Sequence, residues 1–441
     1  MKRFIETIKN IWKVEELRNR IGLTLGLILI YRIGSFIVLP GVNQIALANS
    51  SNASGGGLVG LLDLFAGGAF SKASIMALGI MPYISASIIM QLLGMAVPVV
   101  QKMQKEGESG RRKINGYTRF LTIAICAFQA PSYLQMYVIN SNAAVTPDAI
   151  IWWVTSIALL IAGTMFAMWL GERITDKGIG NGISLLITVG ILARFPGAII
   201  QEFSLRTNGV GGFFMFIVEL LVFFAIIMIT VLIVQGVRRV PINYARKVVG
   251  QGGVTESSRS YIPLKVNASG VMPIIFAQAI MTVPAMIGQD SLFGSLADYR
   301  SFWYNFVFAL MIIIFTYFYT AITINPKQIA DDLKRNGGFV PGVKPGSETA
   351  DFIDNILSRI TLPGSLMLAG IAIIPAFAML AGIGDSFAMF MGGTSILIMV
   401  GVVLDTLQQI ETYLLNRHYD GLMEGGAIRG RRGEKPIGNT I

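Results

Sequence analysis

Ten apolar runs, each about twenty residues or longer, set what this chain can become: 21–39, 75–97, 117–139, 151–171, 182–201, 212–236, 268–288, 304–324, 362–384 and 391–414. A helix needs about 20 apolar residues to cross the ~30 Å hydrocarbon core of a bilayer, where its backbone polar groups must be satisfied internally. The pattern predicts an all-α, polytopic membrane protein with ten transmembrane helices. Composition agrees, because 53% of the residues are hydrophobic and 14% charged, with a mean hydropathy of +0.64, whereas soluble domains carry about 25% charged residues.

An even number of spans puts both termini on one side of the membrane. Segments on that side hold thirty Lys and Arg, against Arg194, Arg206 and Arg300 opposite; Arg32 and Lys72 lie in or beside membrane segments. Basic loops stay cytoplasmic, so both termini are expected there and the net charge of +10 mostly reflects topology. Residues 1–20 hold nine charges and lack a small-residue cleavage site, so the first run is expected to remain as a transmembrane helix. Within them Phe4, Ile5, Ile8, Ile11 and Trp12 recur at helical spacing, as in a helix lying in the cytoplasmic interface.

The stretch GLLDLFAGGAFSKASI at 60–75 is the odd one. A helix over 60–72 would be roughly 20 Å long, too short to cross, yet it directly precedes a full span. SNASGGG at 51–57 reads as a flexible lead into it. Two cytoplasmic segments exceed mere connections. Residues 237–267 read as a β-hairpin around GQGG, and 325–361 as two helices, with Gly337 closing the first and Ser347 capping the second, around a stiff FVPGVKPG tip.

Signs of catalysis are weak. GIGNGIS at 178–184 follows no strand, which removes the dinucleotide-binding context. GIGD at 382–385 and Tyr419-Asp420 copy an intramembrane aspartyl protease pair in reversed order, but the predicted topology puts Asp385 and Asp420 on opposite sides. One cysteine, Cys126, and one histidine, His418, support neither a disulfide nor a metal cluster, and no cofactor is expected. An ion-coupled secondary transporter of a small solute is the alternative, since such proteins also use interrupted helices. It needs polar ligands near the midplane, where the spans offer Arg32, Glu219 and Asp405. Isoleucine is better represented: Ile80 and Ile84 lie one helical turn apart, as do Ile183 and Ile187. Ser85, Ser87 and Gln91 in the second span, and Asn267 and Gln278 at the seventh, suit helices that line a wet cavity or part from each other.

ALGIMPYISASIIMQLL (77–93), KEGESGRRKINGYTR (105–119), GTMFAMWLGERITDKGIGNGIS (163–184), NPKQIADDLKRNGGFVPGVKPG (325–346) and GGTSILIMVGVVLDT (392–406) resemble the SecY family, the channel subunits of the bacterial protein translocase. The likeness runs from about Arg18 to Tyr413. It implies two inverted five-helix halves, 21–205 and 206–414, followed by a cytoplasmic tail at 415–441. It implies a pore ring of Ile80, Ile84, Ile183, Ile187, Ile275 and Ile398, and a lateral gate between spans two and three on one side and seven and eight on the other, where Ser85, Ser87, Gln91, Asn267 and Gln278 would sit. Leu61, Leu62, Asp63, Leu64, Phe65, Ala66, Gly67 and Gly68 would form the plug, with a fixed re-entrant cap as the alternative. Implied partners are SecE-like and SecG-like small subunits, a SecA-type motor ATPase, the ribosome, signal-bearing polypeptides and the lipid bilayer of the bacterial cytoplasmic membrane. The chain itself has no Walker A run. Motor and ribosome would dock on Arg238, Arg239, Arg246, Lys247 and Lys344. Lys344 stands where many relatives have Arg, and Gln251, Gly252 and Gly253 where they often have a basic pair.

Overall fold

The computed structural model describes residues 14–51, 58–145, 149–208, 212–244, 260–287 and 300–424. The interfacial helix expected at 1–20 falls outside them up to residue 13, as do most of SNASGGG, the hairpin tip with Arg246 and Lys247, and the last residues of the tail. Residues 15–20 are the start of the first long helix, α1 (Glu15–Gly34).

Short helices α2 (Gln44–Ser51) and α3 (Leu58–Phe65) follow, then α4 (Met81–Ala96), α5 (Pro98–Lys105) and α6 (Glu108–Tyr133), which ends in a π-helical turn at Leu134–Ile139. Next come α7 (Ile150–Lys177), α8 (Gly182–Asn208) and α9 (Gly212–Gln235). After strands β1 (Val237–Tyr244) and β2 (Ser260–Lys265) the chain forms α10 (Met272–Ile287), α11 (Phe302–Thr323) and α12 (Pro326–Arg335). A two-residue strand β3 (Gly338–Phe339) precedes α13 (Ser347–Leu380), α14 (Asp385–Met391) and α15 (Gly393–Glu424).

Among the described residues six helices, α7, α8, α9, α11, α13 and α15, are long and apolar enough to cross a membrane. The chain is therefore a multi-pass membrane protein. α9 shows why: Phe214, Leu221, Phe224, Met228 and Leu232 are all exposed on it, a surface stable in lipid and costly in water. The other four expected spans coincide with α1, α4, α6 and α10. α4 and α10 have 16 residues each, or ~24 Å.

Several boundaries differ from the sequence reading. The helix expected at 60–72 stops at Phe65, because Gly67 and Gly68 adopt φ of 65° and 86° and turn the chain back. Span two begins at Met81 instead of 75, with residues 66–80 forming successive turns. Within them the Ser74 backbone bridges to Val38, and Ile75 N–H donates to Ile37 O at 2.9 Å. Gly346, with φ 113°, occupies the position before α13 where Ser347 was expected to cap; Ser347 is the first helical residue, and Thr349 Oγ1 donates back to Lys344 O at 2.8 Å. Gly337 (φ 69°) does follow the end of α12, whose start is capped by Asn325 Oδ1, which accepts from Lys327 and Gln328 N–H.

The two long segments expected to be cytoplasmic are not independent. They form one three-stranded sheet in the order β2-β1-β3, with Asn243 opposite Phe339 and Tyr244 opposite Gly338. Val240, Ile242, Leu264, Leu333, Val340, Ile353 and Leu357 give that sheet its own hydrophobic core against α12 and α13.

Candidate functional site

The six isoleucines come from α8, α10, α15 and the start of α4, and meet in the central hydrophobic cluster. Ile80, Ile84, Ile187 and Ile398 are buried there, and Ile183 and Ile275 are half-buried against it. Ile80 is the residue preceding α4, and its carbonyl accepts from Ile84 N–H at 3.0 Å, so the pair shares one turn. Pro82 in the first turn of α4 loses no hydrogen bond. Ile183 leans toward α7, since a methyl on Gly171 would meet its Cγ1 at 2.9 Å. The cluster also holds Tyr31, Leu64, Phe65 and Met76, so apolar side chains of α3 and the following turns share it.

How α3 is held is the more specific finding. Asp63 is buried, and its Oδ1 accepts from Ser71 N–H at 2.8 Å while its Oδ2 forms an ion pair with Arg194 on α8. Gly68 N–H donates to Asp63 O at 2.9 Å, and Arg32 Nη1 to Gly67 O at 2.9 Å. Side chains from the end of α6 close over the turn: Tyr133 OH donates to Phe70 O at 2.8 Å and Tyr137 OH to Ser71 O at 3.2 Å, with the Phe70 ring 4.6 and 5.1 Å from theirs. Lys72 Nζ sits 3.8 Å over the Phe36 ring. Burial, Arg32 and Arg194 together lower the Lys72 pKa below the usual lysine value, while Asp63 opposes them. Contact with α8 is backbone to backbone, because a methyl on Gly67 would lie 2.7 Å from Gly190 Cα and one on Gly190 2.9 Å from Phe65 O.

Sequence reasoning named Asp63 but missed Arg194, Arg32, Tyr133, Tyr137 and Gly190. One carboxylate in a short apolar helix and one arginine inside an apolar run were the available signal, since lone charges in such surroundings need partners.

Of the residues expected at a lateral gate, Gln91 reaches α11: its Oε1 accepts from Tyr319 OH at 3.0 Å. Ser85 and Ser87 are half-buried on α4. Asn267 is buried and accepts from Ser269 Oγ at 3.3 Å, while Gln278 borders a small cavity with Tyr304, Asn305 and Pro375. Neither makes a described hydrogen bond with Gln91. Of the docking residues, Arg238 and Arg239 are exposed on β1 and Lys344 is exposed beside Glu348 at 3.5 Å; Arg246 and Lys247 lie outside the described residues.

The arrangement is an apolar cluster that holds the six isoleucines and against which a turn packs, tethered by Asp63 to Ser71 and Arg194. The SecY family profile matches residues 74–407. Protein translocase subunit SecY of Streptomyces scabiei is 41% identical over 93% of this chain and 98% of its own length. The same subunit of Thermotoga maritima is 40% identical over 97% of this chain and 100% of its own, and that of Vibrio cholerae 39% over 95% and 96%. Among solved structures a protein-conducting channel matches with a TM-score of 0.64 and 19% identity over 93% of this chain and 94% of that one. Sec61 from the canine ribosome-channel complex matches at 0.60 and 18%, with the same coverage. These solved structures are too distant in sequence to carry more than the fold, whereas the relatives at about 40% extend over nearly the whole length, long helices and three-stranded sheet included, and on that ground the chain belongs to the SecY family.

Proposed function

We propose that this chain is the pore-forming subunit of a protein translocase, passing unfolded secretory polypeptides across the cytoplasmic membrane and releasing hydrophobic segments sideways into it. The observation that carries the reading is the convergence of isoleucines from four separate stretches on one buried cluster, with α3 packed into it. A ring of β-branched methyl groups offers hydrogen bonds neither to water nor to ions, so it closes dry when empty and fits around a chain when occupied. A hydrophobic client segment leaves through the seam between α4 and α11, its apolar area contributing roughly 25 cal/mol per Å². The chain is a channel subunit and no enzyme, so a motor or a translating ribosome supplies the work. The transporter alternative is not supported: Glu219 is engaged by Arg206 and Arg32 by Gly67 O, and the relatives are translocase subunits.

The same reading takes ten spans in two inverted halves, with both termini cytoplasmic, α3 and its turn as the plug, and Arg238, Arg239, Arg246, Lys247 and Lys344 on the face that meets a SecA-type motor or ribosome. SecE-like and SecG-like subunits complete the assembly. What supports the docking face is that Arg238 and Arg239 are exposed on the central strand of a sheet with its own packed core, and what supports the plug is its shortness and its polar tethers.

Replacing the six isoleucines by serine or glycine is expected to raise ion leak through membranes holding the full chain. If those changes abolished coupled uptake of a small solute and left conductance untouched, the channel reading would be wrong. For the gate, Tyr319→Phe removes the bond to Gln91 and keeps the ring. A neutral hydrogen bond contributes about 1 kcal/mol, so the closed seam should lose about fivefold in population. Disulfide trapping between cysteines placed on α4 and α11 reads this directly, and unchanged trapping would remove the bond from the gate.

A further inference from the structure

A hydroxyl inside a long helix is commonly satisfied by the carbonyl one turn back, as Thr316 donates to Ile312 O at 2.6 Å and Thr406 to Val402 O at 2.7 Å. Ser395 differs. It stands in the first turn of α15, and the residue four places before it, Met391, is the last of α14. Between the two helices Gly392 is extended and Gly393 has φ 66°, so the path that would bring the Met391 carbonyl under Ser395 is broken. Ser395 Oγ is buried and has no hydrogen-bond partner among the described residues. A buried hydroxyl left in that condition is costly.

The same serine lines a cavity of about 20 Å³ that α15 shares with α10, α11, α13 and α14. Thr394 and Gln278 line it too, and Ser395, Thr394 and Gln278 are only 1, 3 and 4% exposed. Phe308, Pro375 and Met389 cover its apolar side. About 10–15 Å³ takes one water, provided two to four polar groups are there to bind it. The cavity meets both conditions. Its size excludes a larger solute, and none of the residues lining it is charged, which leaves an ion without a counter-charge.

We infer that this cavity is a binding site for one ordered water, which satisfies Ser395 and bridges Ser395 and Thr394 on α15 to Gln278 on α10. A water that makes about three hydrogen bonds to buried polar groups is part of the packing and is costly to remove. The site stands on the cavity and its side chains; only its use rests on the channel reading. There it would let α10 shift against α15 when the seam beside α11 parts, since a bridging water re-forms its bonds more readily than two side chains in direct contact.

Met389 is a built-in reporter, because it lines the cavity and is 4% exposed, whereas Met281, on α10 and 2% exposed, does not line it. The test is hydroxyl-radical footprinting of the full chain in lipid, with the radicals made by X-ray pulses from water in place. Met389 should be oxidised several-fold faster than Met281, and the excess should disappear in the double variant Ser395→Ala/Gln278→Met. Thermal unfolding gives a second reading by its sign. With a bound water, Ser395→Ala and Gln278→Met should each lower the midpoint by about 2 °C, and the double variant should lose less than the sum, because both side chains hold the same water. Equal labelling of the two methionines in the wild type would overturn the site, and so would a midpoint that rises in Ser395→Ala, the result expected when an unpaired hydroxyl is removed from a dry cavity. Failure of the channel reading would show elsewhere, in unaltered conductance of the isoleucine variants.

Discussion

Replacing Gly67 by valine is expected to raise the ion conductance of the idle channel by about thirtyfold or more. Gly67 sits at φ 65°, a region that costs an L-residue about 1–2 kcal/mol. Its new Cβ would also lie 2.7 Å from Gly190 Cα, a backbone atom that no rotamer change moves, and overpacking of this kind costs about 1–3 kcal/mol. The contact exists only while the turn is seated against α8, so the clash falls on the closed arrangement and shifts the population away from it. Even a total of about 2 kcal/mol corresponds to roughly thirtyfold at 1.4 kcal/mol per decade. Gly68→Ala is the control: it has φ 86° but would meet nothing nearer than Arg194 Nε at 3.7 Å, so its leak should be smaller. Planar-bilayer recordings without client decide the matter. Wild-type conductance in Gly67→Val, at normal abundance in the membrane, would remove the turn from the seal.

Arg194→Gln is expected to act through the other tether. It leaves the Asp63 carboxylate, 4% exposed, with the Ser71 N–H as its described donor. Breaking a fully buried pair costs about 3–5 kcal/mol. The Arg194 side chain is 38% exposed, so solvent screening reduces this to about 1–2 kcal/mol, equivalent to roughly a 5- to 30-fold rise in idle conductance. Adding Asp63→Asn removes the uncompensated charge while keeping an acceptor for Ser71. The double variant should therefore leak less than Arg194→Gln alone, which is the sign of coupling between contacting residues. Additive leaks would show that the two side chains act separately.

The sequence made the membrane bundle legible because apolar runs announce themselves by length, and it made the isoleucines legible through i, i+4 spacing and family resemblance. Turn chemistry and distant pairing were harder to read. Residues 74–80, SIMALGI, are as apolar as a span, and nothing in their hydropathy reveals that Ser74 and Ile75 pair with Val38 and Ile37. Phe65 and Phe70 both read as helix, yet two left-handed glycines separate them. Arg194 and Arg206 were counted only as topology charges, although Asp63 engages the first and two buried glutamates the second. The partners of a membrane charge are chosen by the packing of helices distant in the chain, and no local pattern records that choice.

The three-stranded sheet has a mechanical consequence. β1 starts two residues after α9 ends, β2 leads within seven residues to α10, and β3 lies between α12, just beyond α11, and α13. A load applied at any one strand is therefore delivered as a common displacement to the ends of four membrane helices, the way a crossbar moves several rods at once. A binding partner gripping only the loop at 338–346 would pull on α9 and α10 without touching them, provided the ladder between Tyr244 and Gly338 holds under tension.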